Sequence, residues 1–192
     1  MANEPGSTSR LLNGKWRDPE HWIQVGQDLL RDEGFHALRV AKLSKRLNVT
    51  SGSFYYHFRN LDSYLERLAE AYVSGIDSLI RLSSGKTDDP QEKLRILGRR
   101  SARADIWRLS TAMTVWAVSD ERAAKSLELG EDLMINFLGD IFRAFGFDDH
   151  AAMLRGKMLV SLNLSHTVGS KALRDRDYRR SALELLLERK AP

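Results

Sequence analysis

Apolar residues recur along this chain at the spacing of helices, and no segment keeps the strict alternation that a half-buried strand requires. Asp18 and Pro19 are favoured at the start of a helix, and Gly34 readily takes the left-handed conformation that ends one. The pattern therefore predicts a first helix between Asp18 and Gly34, with one apolar face. That face comprises Trp22, Ile23, Gly26, Leu29 and Leu30.

Two short helices are predicted next. Val40, Leu43 and Leu47 share one face of the first, and Asn48 tolerates the left-handed conformation needed to end it. Thr50 or Ser51 can cap the second. The second helix contains Phe54, Tyr55, Tyr56 and Phe58. Two short helices joined by a turn of about three to four residues match a helix-turn-helix.

Longer helices are predicted for the rest of the chain, over about residues 61–83, 90–103, 105–118, 121–145, 149–169 and 177–189. We expect an all-α fold: an N-terminal three-helix helix-turn-helix DNA-binding domain, residues 18–60, followed by a larger helical ligand-binding and dimerisation domain, residues 61–192. Residues 1–17 are predicted to be a flexible tail. Arg10, Lys15 and Arg17 give this tail an alternative role as an arm that enters a minor groove.

The composition is that of a globular protein. The 192 residues include 42% hydrophobic and 29% charged residues and no cysteine, which excludes disulfides and thiolate metal sites. No stretch approaches the roughly 20 apolar residues of a membrane span, and the N-terminus lacks the apolar core of a signal peptide. We therefore expect a cytoplasmic protein that makes no membrane contact.

Positive charge is concentrated where the helix-turn-helix is predicted. The net charge of the chain is only +4. Between His36 and Asn60, however, there is no acidic residue, and the basic residues are Arg39, Lys42, Lys45, Arg46 and Arg59. Such a patch is expected where a protein contacts DNA phosphates, although alone it fits a solvated helix face equally well.

A cluster of residues around this motif is distinctive. It comprises Gly34-Phe35, Val40, Leu43, Leu47-Asn48-Val49-Thr50 and Gly52-Ser53-Phe54-Tyr55-Tyr56-His57-Phe58. The cluster resembles the DNA-binding region of TetR-family regulators over about residues 18–68. Members usually carry glycine in place of Asn48 and a lysine in place of Leu61. Arg59 or Lys42 is the expected substitute for the phosphate contact of that lysine.

The resemblance implies that the second helix of the motif recognises double-stranded operator DNA. The residues expected to contact DNA are Arg39, Lys42, Thr50, Ser51, Ser53, Tyr55, Tyr56 and His57. Short polar side chains at a helix start suit phosphates and base edges. Tyr55 is equally compatible with core packing. Because a palindromic operator is bound by a two-fold dimer, we expect a homodimer, formed through the last two long helices as in the family.

The larger domain is expected to hold a small-molecule effector. Large, flexible or flat side chains lie in the helices that would surround a cavity: Trp107, Met113, Trp116, Met134, Phe137 and Phe142. They favour an apolar or aromatic ligand, although ordinary core packing explains each of them at least as well. No cofactor and no metal are expected.

These features predict a transcriptional regulator, by family default a repressor that its effector releases from the operator. In this two-state mechanism the effector favours a conformation that binds DNA poorly, and the helix over residues 61–83 is the lever. One alternative is a helix-turn-helix protein without an effector. The other is a small helical enzyme, but the chain has no HExxH, phosphate loop or Gly-x-Ser-x-Gly motif, and its five histidines are scattered.

Overall fold

The computed structural model describes residues 18–85 and 87–188, apart from the side chain of His166. Within these residues the fold is all-helical, as the apolar pattern predicts. The helices are α1 (Pro19–Glu33), α2 (Val40–Leu47), α3 (Ser51–His57), α4 (Leu61–Ser84), α5 (Pro90–Arg103), α6 (Ile106–Ala117), α7 (Glu121–Ala144), α8 (Asp149–Val168) and α9 (Arg176–Leu187), with a 3₁₀ turn at Phe35–Ala37. The predicted tail, residues 1–17, lies outside the described residues.

Aspartate side chains fix the starts of five helices. The carboxylate of Asp18 accepts a hydrogen bond from the backbone N–H of Glu20 at 3.0 Å, as predicted. The same arrangement begins α5, α7, α8 and α9, at Asp89, Asp120, Asp148 and Asp175. A carboxylate there satisfies an amide that has no partner inside the helix and complements the positive end of the helix dipole. These local signals explain why the helix boundaries lie close to the predicted ones.

An aromatic cluster fills the core of the first compact unit, which extends to Ala71. Trp22 of α1, Phe54 of α3 and Tyr64 of α4 are fully buried, and Phe58 is nearly so. The ring centroids of Trp22 and Phe54 are 5.4 Å apart, and those of Phe58 and Tyr64 are 5.0 Å apart, both edge to face. Such pairs contribute about 0.5–1.5 kcal/mol each beyond the burial of their area. The cluster therefore ties α1, α3 and the beginning of α4 together.

Tyr64 also links α4 to α1 through its hydroxyl group, which donates a hydrogen bond to the carbonyl oxygen of Trp22 at 2.9 Å. Burial raises the pKa of Tyr64, so the phenol stays protonated and remains a donor. This close approach depends on Gly26, where an added Cβ would lie 1.9 Å from the Tyr64 oxygen. The helix face on which Gly26 was predicted is indeed buried, and the Tyr64 contact gives the reason for a glycine there.

The second compact unit begins at Tyr72. Large side chains in its core are at most 2% exposed, among them Trp116, Met134, Leu138 and Phe142. Helices α7 and α8 pack closely because Gly156 has no side chain, and an added Cβ there would lie 3.0 Å from the carbonyl oxygen of Ile135.

The division between the two units lies inside α4, whereas the predicted domain boundary lies at residue 60. Tyr64, Leu65 and Leu68 are buried in the first unit, and α4 continues without interruption to Ser84. The roles assigned to residues 18–60 and 61–192 stay predictions.

The described part of the chain contains neither a membrane-spanning helix nor a cluster of metal-binding side chains. Its helices include none with the length and apolarity to cross a membrane. Across residues 18–85 and 87–188, no group of three or more His, Asp or Glu side chains is arranged to hold a metal ion.

Replacing Gly26 with alanine is expected to destabilise the protein by about 1–3 kcal/mol, because the new methyl group overlaps the Tyr64 hydroxyl. Urea denaturation followed by far-UV circular dichroism measures the effect. Gly52→Ala is the matched control in the same unit, since its Cβ would meet only the Thr50 hydroxyl at 3.6 Å. Equal stability of the two variants would contradict the packing described.

Candidate nucleic-acid interface

Helices α2 and α3 form a helix-turn-helix whose turn consists of Asn48, Val49 and Thr50. Asn48 takes the predicted left-handed conformation, with φ 53° and ψ 46°. Its N–H donates to the carbonyl oxygen of Lys45 at 3.2 Å, and the N–H of Val49 donates to that of Ser44 at 3.0 Å. These bonds satisfy carbonyl groups at the end of α2, so backbone geometry closes the turn.

The start of α3 differs in one detail from the prediction. Thr50 occupies the capping position with an extended backbone, but its side chain makes no capping hydrogen bond, and Ser51 is already the first helical residue. The carbonyl oxygen of Thr50 instead accepts a bond from the N–H of Ser53 at 3.0 Å. Thr50 is therefore the N-cap residue, one of the two predicted, but no side chain closes the first turn of α3.

The two faces of α3 have opposite environments. Phe54 is fully buried against Trp22, whereas Tyr55 is 59% and Tyr56 is 82% exposed. Tyr55 is thus a surface residue rather than part of the core. Two exposed aromatic side chains on one short helix are unusual on a surface that binds nothing, since they cover and desolvate a partner at little entropic cost.

The eight residues predicted to contact DNA lie on α2, α3, the turn between them or, for Arg39, the capping position of α2. We call these eight residues the recognition surface. Five are exposed: Arg39, Thr50, Ser51, Tyr55 and Tyr56. Three are half-buried: Lys42, Ser53 and His57.

His57 has a supporting position on this surface. Its Nε2 atom is buried and has no hydrogen-bond partner among the described residues. The ring lies edge-on to that of Tyr56, with centroids 5.0 Å apart. The imidazole therefore packs beneath an exposed tyrosine rather than extending into solvent.

Two ion pairs neutralise part of the basic patch. Lys42 pairs with Glu33, and Arg46 pairs with Asp32 at 3.3 Å. Both acids belong to the end of α1, outside the acid-free stretch that begins at His36. Exposed ion pairs contribute only about 0.2–1 kcal/mol, so a phosphate can replace either carboxylate at small cost.

Three cations of the patch remain uncompensated. Arg39, Lys45 and Arg59 are exposed, and none of them forms an ion pair with another residue in the described part of the chain. Lys45 was not among the residues predicted to contact DNA, although its position on the polar face of α2 was a signal for it. The local excess of positive charge thus survives folding, which suits a polyanionic partner.

Sequence comparison identifies the family of this segment. Residues 23–68 match the sequence profile of the bacterial regulatory proteins, tetR family. The match covers most of α1, the helix-turn-helix and the beginning of α4, about a quarter of the chain.

Two curated relatives match part of the chain. The chain is 39% identical over 56 residues to tetracycline repressor protein class A from transposon 1721 of Escherichia coli, covering 29% of this chain and 26% of that protein. It is 31% identical over 74 residues to the HTH-type transcriptional repressor NemR of Escherichia coli, covering 36% of this chain and 37% of that protein. The matched region thus spans between a quarter and two fifths of the length of these relatives.

A solved structure matches most of the fold of this chain. The TetR transcriptional regulator from Legionella pneumophila aligns with a TM-score of 0.74 and 14% identity, covering 87% of this chain and 94% of that one. At this identity the likeness shows the fold alone, a helix-turn-helix domain followed by a larger helical domain. The profile that residues 23–68 match describes regulatory proteins, and both curated relatives are named repressors, which agrees with the expectation of a regulator rather than an enzyme.

The six residues predicted to line an effector cavity do not form one wall. Trp107 and Met134 border a small cavity in the second unit. Met113, Trp116 and Phe142 are almost completely buried, do not border it and fill the core. Phe137 is half-buried and does not border it either. Side-chain type alone could not separate lining residues from core residues, because both are large and apolar.

The cavity itself is very small. Its volume is about 10 Å³, which is room for about one water molecule. Tyr72 and Glu131, which the sequence analysis did not single out, also line it. The Tyr72 hydroxyl lies 3.0 Å from that of Ser110, and burial raises the pKa of Tyr72 to about 12. Burial also raises the pKa of Glu131. In this conformation the cavity does not admit a drug-sized ligand.

Replacing Asn48 with valine is expected to destabilise the protein by about 1–2 kcal/mol, because a β-branched residue is strained in the left-handed conformation. Asn48→Gly is the paired variant and should keep or increase stability, since glycine adopts that conformation without strain. Both are measured by urea denaturation. An equal loss in the two variants would assign the role of Asn48 to its side chain instead of its backbone.

Proposed function

We propose that this chain is a sequence-specific DNA-binding transcriptional regulator, and that α3 is its recognition helix. The observation that carries this proposal is the exposure of Tyr55 and Tyr56 on α3, opposite the buried Phe54. A short helix held by aromatic packing on one side and solvent-exposed on the other can enter a major groove without distorting its own domain.

The flanking cations supply affinity in this proposal. Arg39 precedes α2, and Lys45 lies near its end, so both are available for phosphates on either side of the groove. Phosphate contacts position a protein on DNA, whereas contacts to base edges give sequence specificity. We therefore assign Arg39, Lys42 and Lys45 to the DNA backbone, and Ser51, Tyr55 and Tyr56 to the groove.

We further propose that the protein acts as a homodimer. Helices α8 and α9 expose large apolar side chains, which we call the α8–α9 surface: Leu154, Met158, Tyr178 and Leu185, each 42–64% exposed. Arg179 fixes α9 to α8, since its Nη2 donates to the Oδ1 atom of the buried Asn163 at 2.7 Å. A rigid apolar face of this kind supports association with a second copy.

Repression controlled by a small molecule is the regulatory part of the proposal. Both curated relatives bear the name repressor. The helix α4 is continuous from Leu61 to Ser84, so a ligand that moves its C-terminal half also acts on its N-terminal half. A ligand that favours the conformation with low DNA affinity weakens operator binding by its coupling free energy, typically about 1–3 kcal/mol.

A second candidate function is DNA binding without an effector in the apolar cavity. The cavity beside Trp107 holds only about 10 Å³, and most of the residues predicted to line it are core. An apolar or aromatic ligand would have to open the core first, which lowers its observed affinity. Displacement of the protein from its operator by such a ligand would exclude this second candidate.

Tyr56→Ala and Arg39→Ala should both weaken binding to an operator, but in different ways. The probe is the intergenic DNA upstream of the protein's own coding sequence, in fluorescence anisotropy across a salt series. Loss of a groove contact by Tyr56→Ala should cost about 1–3 kcal/mol on the operator and little on unrelated DNA. Loss of a phosphate contact by Arg39→Ala should weaken binding to the operator and to unrelated DNA alike. It should also reduce the slope of log affinity against log salt concentration by about one.

Lys125→Ala is the control for this measurement, since Lys125 is an exposed residue of α7 that pairs with Glu121. It should bind the operator like the unmodified chain. If Tyr56→Ala leaves operator affinity unchanged while the unmodified chain binds tightly, α3 is not the recognition helix.

Met158→Glu combined with Leu185→Glu should dissociate the dimer by placing charges in an apolar interface. Sedimentation equilibrium should give twice the chain mass of 21.9 kDa for the unmodified protein and the single mass for the variant. Val118→Glu is the matched control, because Val118 is an apolar residue with 86% exposure outside the α8–α9 surface. A monomeric unmodified chain at micromolar concentration would refute the dimer.

A further inference from the structure

A large groove in the second unit has no part in the proposals above. It lies between the C-terminal half of α4 and helix α5 and has a volume of about 790 Å³. Clefts that hold drug-sized ligands measure about 300–1,000 Å³. The α4 side is formed by Gly75, Ser78, Leu79 and Leu82, which share one helix face.

Arginines dominate the other side of the groove. Arg99, Arg100 and Arg103 of α5 all line it, and Glu92 is the one acid among the described residues of the lining. Glu92 accepts hydrogen bonds from Arg95 at 2.5 and 2.7 Å, and its contact with Arg99 is longer, 3.4 Å. The Arg95 guanidinium holds the pKa of Glu92 below its usual value, so this carboxylate is ionised and already satisfied. Arg100 and Arg103 have no acidic partner among the described residues.

The base of the groove is apolar. Leu79 and Ile96 are each 7% exposed, and Leu82 leaves 49% of its surface in contact with solvent. An added Cβ at Gly75 would meet no atom within 4 Å, so the groove is open at this point. The groove thus combines an apolar base, of which only Leu82 is well exposed, with guanidinium groups that have no acidic partner among the described residues.

We propose that this groove binds an organic anion with an apolar chain, of the class of medium-chain carboxylates. A guanidinium group forms paired hydrogen bonds to a carboxylate, which suits Arg100 and Arg103. The apolar chain lies along Leu79, Leu82 and Ile96 and removes the exposed surface of Leu82 from water. A small hydrophilic anion would leave Leu82 exposed, and a neutral apolar compound would leave the arginines unmatched.

This site differs from the cavity beside Trp107, because the two linings share none of the residues that the structure describes. A ligand in this groove contacts α4, the helix through which the proposed regulation acts. The effect of such a ligand on DNA release rests on the proposed function, whereas its binding to the groove does not. The experiment below therefore contains no DNA, so failure of the ligand site and failure of the regulatory role are distinguishable.

Isothermal titration calorimetry of the full chain with sodium octanoate tests the proposal. We expect saturable binding of one octanoate per chain. Arg100→Gln combined with Arg103→Gln should weaken it about tenfold or more, corresponding to about 1.4 kcal/mol. The charge-matched control combines Arg81→Gln with Lys93→Gln, on the same two helices and outside the groove lining, and should retain binding within about twofold.

A filling variant tests the apolar base independently. Gly75→Leu places a side chain in the groove, whereas Gly98→Leu adds the same side chain at an exposed position of α5 that does not line it. Both positions have open space for the new atoms, so both variants should fold. Gly75→Leu should weaken octanoate binding by about tenfold, and Gly98→Leu should not.

Two further titrants define the ligand class. Inorganic phosphate and 1-octanol should each bind at least about tenfold more weakly than octanoate. Equal binding of phosphate would replace the proposal with a simple anion site, and equal binding of octanol would replace it with an apolar site. Absence of saturable octanoate binding, or binding that neither the arginine pair nor Gly75→Leu affects, would overturn it.

Discussion

The packing of Phe54 against Trp22 is the interaction on which the candidate interface depends. It fixes the rotation of α3, and therefore determines that Tyr55 and Tyr56 face solvent while Phe54 does not. Tyr64 extends this packing to α4 through its ring and through the hydrogen bond to Trp22. A seven-residue helix has little stability of its own, so its orientation comes from tertiary contacts.

Electrostatics add a second constraint on this surface. The sequence shows an acid-free basic stretch, but Glu33 and Asp32 fold back onto two of its cations. What remains is a smaller set of uncompensated charges, Arg39, Lys45 and Arg59, around a pair of exposed tyrosines. In the proposed complex the cations contact phosphates and supply affinity, whereas the tyrosines contact the groove and supply specificity.

The fold was largely predictable because its signals are local. Apolar stripes at helical spacing, aspartate caps such as Asp120 and the left-handed Asn48 each involve only a few neighbouring residues. The candidate site was less predictable, because ion pairs determine which of its cations remain uncompensated. Pairs such as that of Arg46 with Asp32 form only on folding. The second unit was the least predictable. Trp116 and Trp107 are the same residue type, yet Trp116 is buried in the core and Trp107 borders the cavity. The arginines of α5 resemble an ordinary solvated helix face in the sequence, and they form a groove only because α4 packs beside them.

The most direct test of the central claim is a dimethyl sulfate protection footprint of the protein on its own upstream DNA. Dimethyl sulfate methylates the N7 atom of guanine in the major groove, where α3 is expected to bind. The account predicts two protected major-groove patches, centred about 34–36 Å apart or a multiple of that spacing. Protection should disappear with Tyr56→Ala. Tight binding that leaves every major-groove guanine reactive would contradict recognition by α3.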